Sequence, residues 1–143
     1  MLDDIHYPTL SVSQTLSFAL STKTPGPLAR LPGLSPEQFN KEFETLLLKS
    51  LNIEHTRETL VGNEFVRGIS GEYFSLYLNY VTLFFSKGGE RKRVSIAEMM
   101  STRAKVQAWD NSTRGLDAST ALDFVKGLRV NCDVLGSTTF VSL

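Results

Sequence analysis

Residues 106–117 read VQAWDNSTRGLD, an apolar run that stops at a carboxylate and opens onto a glycine-bearing turn. The segment KVQAWDN predicts a short buried strand ending at Asp110. Asp117 then stands at the head of DASTALDFVKGLRV, where it is the expected N-cap of an amphipathic helix. Ala121, Phe124, Val125 and Leu128 fall on that helix's expected buried side. TTFVSL, at 138–143, reads as a second strand. Upstream, GERKRVSIAEMMSTR predicts a helix with Val94, Ile96, Ala97 and Met100 facing inward. Helix, strand, helix, strand in that order predicts a parallel α/β layer.

The N-terminal half is helical in pattern. Leu10, Val12, Leu16 and Leu20 line one face of a short helix expected after Pro8. TPGPLARLPG, at 24–33, carries three prolines and two glycines and must be a loop. LSPEQFNKEFETLLLKSLNI, at 34–53, is the clearest helix. Ser35 caps it, Pro36 suits its first turn and Gln38 completes a capping box. Phe39, Phe43, Leu46, Leu47 and Leu51 form its expected core stripe. A polar connector, EHTRETLVGNEFVRG, follows at 54–68.

The totals bound the function. A chain of 143 residues is one domain's worth and long enough to bury a core. Fifteen basic residues balance fifteen acidic ones, so charge gives no push toward nucleic acid. The single cysteine, Cys132, excludes an internal disulfide and is expected to be a buried, inert thiol. His6 and His55 lack ligand spacing, so no metal site is expected from them. No basic leader and no run of about 18 apolar residues is visible, so the chain as written reads as soluble and cytosolic, without direct membrane insertion.

Residues 69–93, ISGEYFSLYLNYVTLFFSKGGERKR, place an aromatic run between one glycine and a Gly-Gly-Glu. Without residues 72–88 the flanks join as VRGISGGERKRVSIAE. A serine and two glycines opening a helix form a phosphate cradle, because unblocked N–H groups and the helix dipole both favour an anion there. Asp110, at the end of its strand, is placed where nucleotide-binding sheets commonly hold a magnesium-bound water.

SGGERKRVSIAE (joined), WDNSTRGLDASTALDFVKGLR, DIHYPTLSVSQTL and HTRETLVGNEFVRG together resemble the first nucleotide-binding domain of fungal pleiotropic-drug-resistance (ABCG-like) ABC transporters. The likeness covers nearly the whole chain except the insert, with the motifs in the family's order. It implies a partial P-loop NTPase core of α/β class, helix-rich, with residues 1–70 as helical subdomain. Residues 89–143 then hold the signature helix, Walker B strand, D-loop and the helix and strand that follow. By the same resemblance, Ser70, one of Gly71 or Gly88, Gly89 and Glu90 match the signature that clamps the γ-phosphate of ATP on the opposite domain. Asp110 matches the Walker B aspartate, acting on Mg2+ through water, and Asp117 lies in the D-loop. Asn111 stands where most ABC ATPases carry a glutamate that activates water; an amide orients water but takes no proton.

Two departures bear on activity. The sequence contains no GxxxxGK[ST] loop to grip phosphates. The resemblance also puts the family's Q-loop before Met1 and its switch position after Leu143, and no transmembrane domain is seen. The expected chain is therefore a segment of an ATP-binding domain from a drug, xenobiotic or lipid exporter at the cytoplasmic face of a membrane. Its implied cofactors are ATP and Mg2+, and its implied partners are a second nucleotide-binding domain and the transmembrane domains. Alone, it is expected neither to bind ATP tightly nor to hydrolyse it.

The insert carries six of the chain's fourteen aromatic residues. Seventeen residues can separate the serine from its glycines by roughly 55 Å when extended. A retained in-frame intron explains this: Gly71-Glu72-Tyr73 can encode a donor-like GTGAGT, and Lys87-Gly88 a terminal AG. A rebuilt cradle using Ser86 of SKGGE is the alternative, one residue out of register. Two other whole-chain readings stand beside the transporter segment: a free-standing module that pairs with another nucleotide-binding domain, and a gene-model remnant. Bland expectations hold elsewhere: ERKR as a solvated helix face, Trp109 as core, and Asn111-Ser112-Thr113 as an idle sequon.

Overall fold

The computed structural model describes residues 5–30, 33–63, 65–69 and 89–142. The aromatic insert at 72–88, with Ser70, Gly71 and Gly88, lies outside the described residues. The elements are α1 (Val12–Thr22), α2 (Pro36–Ser50), α3 (Glu90–Ser101), β1 (Val106–Asp110), α4 (Ala118–Leu135) and β2 (Thr138–Ser142). Short 3-10 turns occupy Pro27–Ala29 and Glu54–Thr56.

Local chemistry sets the helix starts. Ser35 and Gln38 form the expected capping box on α2. Ser11 and Gln14 form a second box on α1, which therefore begins after Leu10 and leaves that residue outside the helical face assigned to it from sequence. Leu10 instead joins a backbone pairing: its carbonyl accepts from Val61 N at 2.9 Å, beside an antiparallel bridge between Ser11 and Leu60.

The helices meet in one hydrophobic cluster. Val12 and Leu16 of α1, Leu47 and Leu48 of α2, and Val94, Ile96, Ala97 and Met100 of α3 share it with Trp109 of β1 and Phe124 and Leu128 of α4. The inward face of α3 is thus the one read from sequence. That of α2 is rotated: Leu46 is 60% exposed and Leu48 is fully buried. Glu44 explains the difference, since a carboxylate was no candidate for a core stripe. It is buried and accepts from Ser13 Oγ (2.9 Å), Ser17 Oγ (3.1 Å) and Arg57 Nε (3.1 Å). Those bonds satisfy a charge that burial would otherwise forbid. Phe39 and Phe43 are half-buried, stacked at 6.1 Å, with the Arg103 guanidinium over both rings at 5.1 and 5.3 Å.

β1 and β2 pair in parallel, Val106 opposite Thr138 through to Asp110 opposite Ser142. The parallel layer expected from the element order is present. β1 is buried on one face only, a correction to its reading as a buried strand. Gln107 and Trp109 point inward while Val106, Ala108 and Asp110 are exposed. Trp109 meets the Phe124 ring edge-on at 5.2 Å and donates from Nε1 to Gln107 Oε1 at 3.1 Å. On α4, Phe124 and Leu128 face the core and Ala121 is half-buried, but Val125 is 40% exposed because it lies one step round the helix.

The connector is not a free polar linker. Val61 and Ile69 enter the core, and Ile69 N donates to Leu60 O at 2.9 Å. Gly62, at φ +71°, and Gly68 allow the chain to close on itself. A Cβ on Gly68 would sit 2.5 Å from the backbone of Leu60 and Val61, so no side chain fits. This fold places the start of α3 between the connector and the turn after β1.

Candidate functional site at the start of α3

Gly89 caps α3 with φ +114°, a conformation that L side chains rarely adopt. It is buried, and a Cβ there would lie 3.1 Å from Leu116 Cδ2 and 3.4 Å from the Gly115 carbonyl. Glycine thus lets the tip of α3 press against the turn between β1 and α4. Gly89 has no side chain to cap the helix, and Arg93 N donates to its carbonyl at 2.8 Å. The positive end of the helix dipole gathers at this tip.

The turn is held by its own backbone. Asn111 extends the sheet through its N–H to Ser142 O at 3.1 Å, then takes φ +48°, which asparagine tolerates better than most residues. Arg114 N donates to Asn111 O (3.3 Å) and Leu116 N to Thr113 O (3.0 Å). Asp117 caps α4 as expected, accepting from Thr120 N at 3.2 Å. Its carboxylate also accepts from the Ser119 and Thr120 hydroxyls, which hold its pKa well below the usual carboxylate range.

Charged side chains tie the helix tip to its surroundings. Arg93 is buried and donates from Nη2 to Asp117 Oδ1 at 3.3 Å. Arg91 reaches the connector, donating from Nη2 to Gly62 O at 2.6 Å. Glu90 is buried, and its Oε1 accepts from His55 Nε2 at 2.9 Å. The reading of ERKR as a solvated face is therefore corrected. Glu90 and Arg93 are buried and Arg91 and Lys92 half-buried, because partners 24 to 35 residues away meet Arg93, Arg91 and Glu90.

Of the residues singled out from sequence, Gly89, Glu90 and Asp117 come together here. Asp110 opens the turn that Asp117 closes, and is exposed at the C-terminal end of β1. Asn111 follows it in the same turn. Missed from sequence were His55, Arg93 and Glu44, whose partners are remote in the chain. His6, also remote from its partners, places Nε2 2.8 Å from Ser95 Oγ and Nδ1 3.4 Å from Glu98. Cys132 is half-buried and donates to Thr139 Oγ1 at 3.2 Å.

Magnesium and ATP, the groups that the resemblance implies, are only partly provided for. Among the described residues no three His, Cys, Asp or Glu side chains gather to hold a metal ion. Asp110 offers one exposed carboxylate, and the sequence has no phosphate-gripping loop. These residues do not by themselves make a nucleotide–magnesium site.

The parallel pair and its crossover helix form a β-α-β unit, and the described residues share the fold of part of an ATP-binding-cassette ATPase. An ATP-binding cassette solved as a dimer in a post-hydrolysis state, bound to ADP and Pi, superposes with a TM-score of 0.61 at 18% identity. That match covers 99% of this chain and 50% of the other. Within this class the chain is related to fungal ABC multidrug transporters. It is 55% identical over 141 residues to ABC multidrug transporter I of Aspergillus fumigatus, and 48% identical over 143 residues to ABC multidrug transporter H of the same species. Each match covers 99% of this chain but only 8% and 9% of the relatives' length. No protein-family model matches the chain. Among the described residues no helix is long and apolar enough to cross a membrane.

Proposed function

We propose that the chain contributes the signature and D-loop parts of an ABC ATP-binding domain, presenting the start of α3 to ATP held on a second such domain. The whole assembly would be a drug, xenobiotic or lipid exporter working at the cytoplasmic face of a membrane, with transmembrane domains as further partners. The observation that carries this reading is the packing of Gly89 on Gly115 and Leu116, reinforced by the Arg93–Asp117 ion pair. It joins the helix tip and the turn in one contiguous surface. In this reading Glu90 and Gly89 face the γ-phosphate, Asp110 takes the magnesium side and Asp117 signals between domains. Ser70 and Gly71 or Gly88 would complete the cradle. Residues 1–70 act as helical subdomain, and 89–143 supply the signature helix, the Walker B strand, the D-loop and the helix and strand that follow.

An amide at Asn111 can orient a water but not deprotonate it, and the sequence given contains no GxxxxGK[ST] motif. The purified chain should therefore show no ATP turnover, yet should associate with an intact ABC ATP-binding domain when that domain is loaded with ATP. Turnover by the chain itself, with contaminating ATPases excluded, overturns the reading. The insert at 72–88 is read as a retained in-frame intron, because it parts Ser70 from Gly89. Transcript sequencing that finds the run in every message ends that part of the proposal.

A further inference from the structure

An acidic residue in the first turn of a helix meant to receive a phosphate is an electrostatic problem. Glu90 is the first residue of α3, directly after Gly89, and its side chain is only 11% exposed. A carboxylate there is favoured by the helix dipole, yet it repels an anion arriving at the same tip. The structure supplies a counter-charge. His55, in the 3-10 turn Glu54–Thr56, holds Nε2 2.9 Å from Glu90 Oε1, and its own side chain is 57% exposed. As an N–H donor the imidazole fixes the carboxylate's direction, and as an imidazolium it also cancels the carboxylate's charge.

We infer that His55 is a positioning residue for the tip of α3, orienting Glu90 and, when protonated, neutralising it so that the tip accepts a phosphate. This rests on the signature reading above. Other charged side chains among the described residues near the pair have partners of their own. Glu54, on His55's own turn, lies 4.0 Å from Lys49 Nζ at the end of α2. Arg91 and Arg93 extend from α3 to the Gly62 carbonyl and to Asp117 at the start of α4. Among these described side chains His55 is the one that carries an imidazole, the side-chain type used as a switch near neutral pH. Losing its proton changes the His55–Glu90 pair from neutral to singly negative, which disfavours a phosphate. Because the pair joins residues 35 apart and His55 sits on the connector, the connector's position is sensed at the tip.

Two measurements separate this inference from the reading it rests on. The first follows the backbone amide resonances of Glu90 to Arg93 in the full chain from about pH 5.5 to 8.5, the range of imidazole ionisation. They should shift in the parent with a single titration that His55→Ala abolishes. His55 is largely exposed, so this substitution leaves the core intact. The second measures association with an ATP-loaded ABC ATP-binding domain at about pH 6 and pH 8. Affinity should fall roughly two- to fivefold with rising pH in the parent, as expected for one charge at a helix end. It should stay flat in His55→Ala, which has no imidazole there, and in His55→Lys, which holds a cation throughout, whereas Glu90→Gln keeps the imidazole and the pH dependence while binding more tightly at pH 8. An amide titration that persists in His55→Ala, or parent and His55→Ala sharing one association profile, overturns the role of His55 and leaves the signature reading standing. Absence of association at every pH, with the amide titration intact, overturns the signature reading and with it the phosphate role of the pair.

Discussion

Two glycine-to-alanine substitutions should move stability in opposite directions, and the structure gives both signs. Gly89 has φ +114°, further out than the left-handed basin near +60°. Placing an L side chain in left-handed space costs roughly 1–2 kcal/mol. The new Cβ would also stand 3.1 Å from Leu116 Cδ2. Leu116 is half-buried and the contact is at its flexible end, so overpacking adds about 1 kcal/mol or less. Gly89→Ala should therefore destabilise the chain by about 2–3 kcal/mol. Gly127 lies inside α4, and a Cβ there meets only Met100 Cε, at an ordinary 3.9 Å. Alanine in a helix interior is favoured over glycine by about 0.5–1 kcal/mol, so Gly127→Ala should stabilise. Urea unfolding followed by circular dichroism reads both: the midpoint falls by about 1 M for Gly89→Ala and rises by a few tenths for Gly127→Ala. A Gly89→Ala chain as stable as the parent would refute the close packing of the α3 tip on the 111–117 turn.

Glu44→Ala removes a buried carboxylate with its three bonds and takes the counter-charge from Arg57, 29% exposed, whose Nη2 keeps only its bond to Thr45 Oγ1; the expected loss is about 3 kcal/mol, read from the urea midpoint. A double-mutant cycle with Arg57→Ala should show coupling above about 1 kcal/mol, and additive losses would remove the Glu44–Arg57 pair as a link between α2 and the connector. Asp117 has its carboxyl held low chiefly by Ser119 and then Thr120, so its folded-state pKa lies below the unfolded one. Its contribution to stability is present above about pH 4 and is lost as pH falls through the folded value. Asp117→Asn should accordingly lower the unfolding midpoint at neutral pH, with the gap from the parent closing in acid; a gap constant with pH contradicts the hydrogen-bonded cap.

The sequence by itself determined the elements whose cause is local. Ser35, Pro36 and Gln38 specify the start of α2 within four residues, and Asp117 does the same for α4. The apolar spacing of Val94, Ile96, Ala97 and Met100 marks the inner face of α3 because a helix repeats every 3.6 residues whatever surrounds it. The placement of Gly89 and Asp117 at helix starts and of Asp110 at the end of β1 was legible for the same reason, each being set by its neighbours in sequence. The tertiary structure alone decided the charged pairings: Glu44 with Ser13, Ser17 and Arg57, His55 with Glu90, and Arg93 with Asp117. Periodicity assigns a carboxylate or a guanidinium to water, since it counts the cost of burial but not the partner that offsets it. Only when the chain folds do donors and acceptors 13 to 35 residues apart come within 3.3 Å. That is why a helix start read as solvent-facing became the buried, partnered tip of α3.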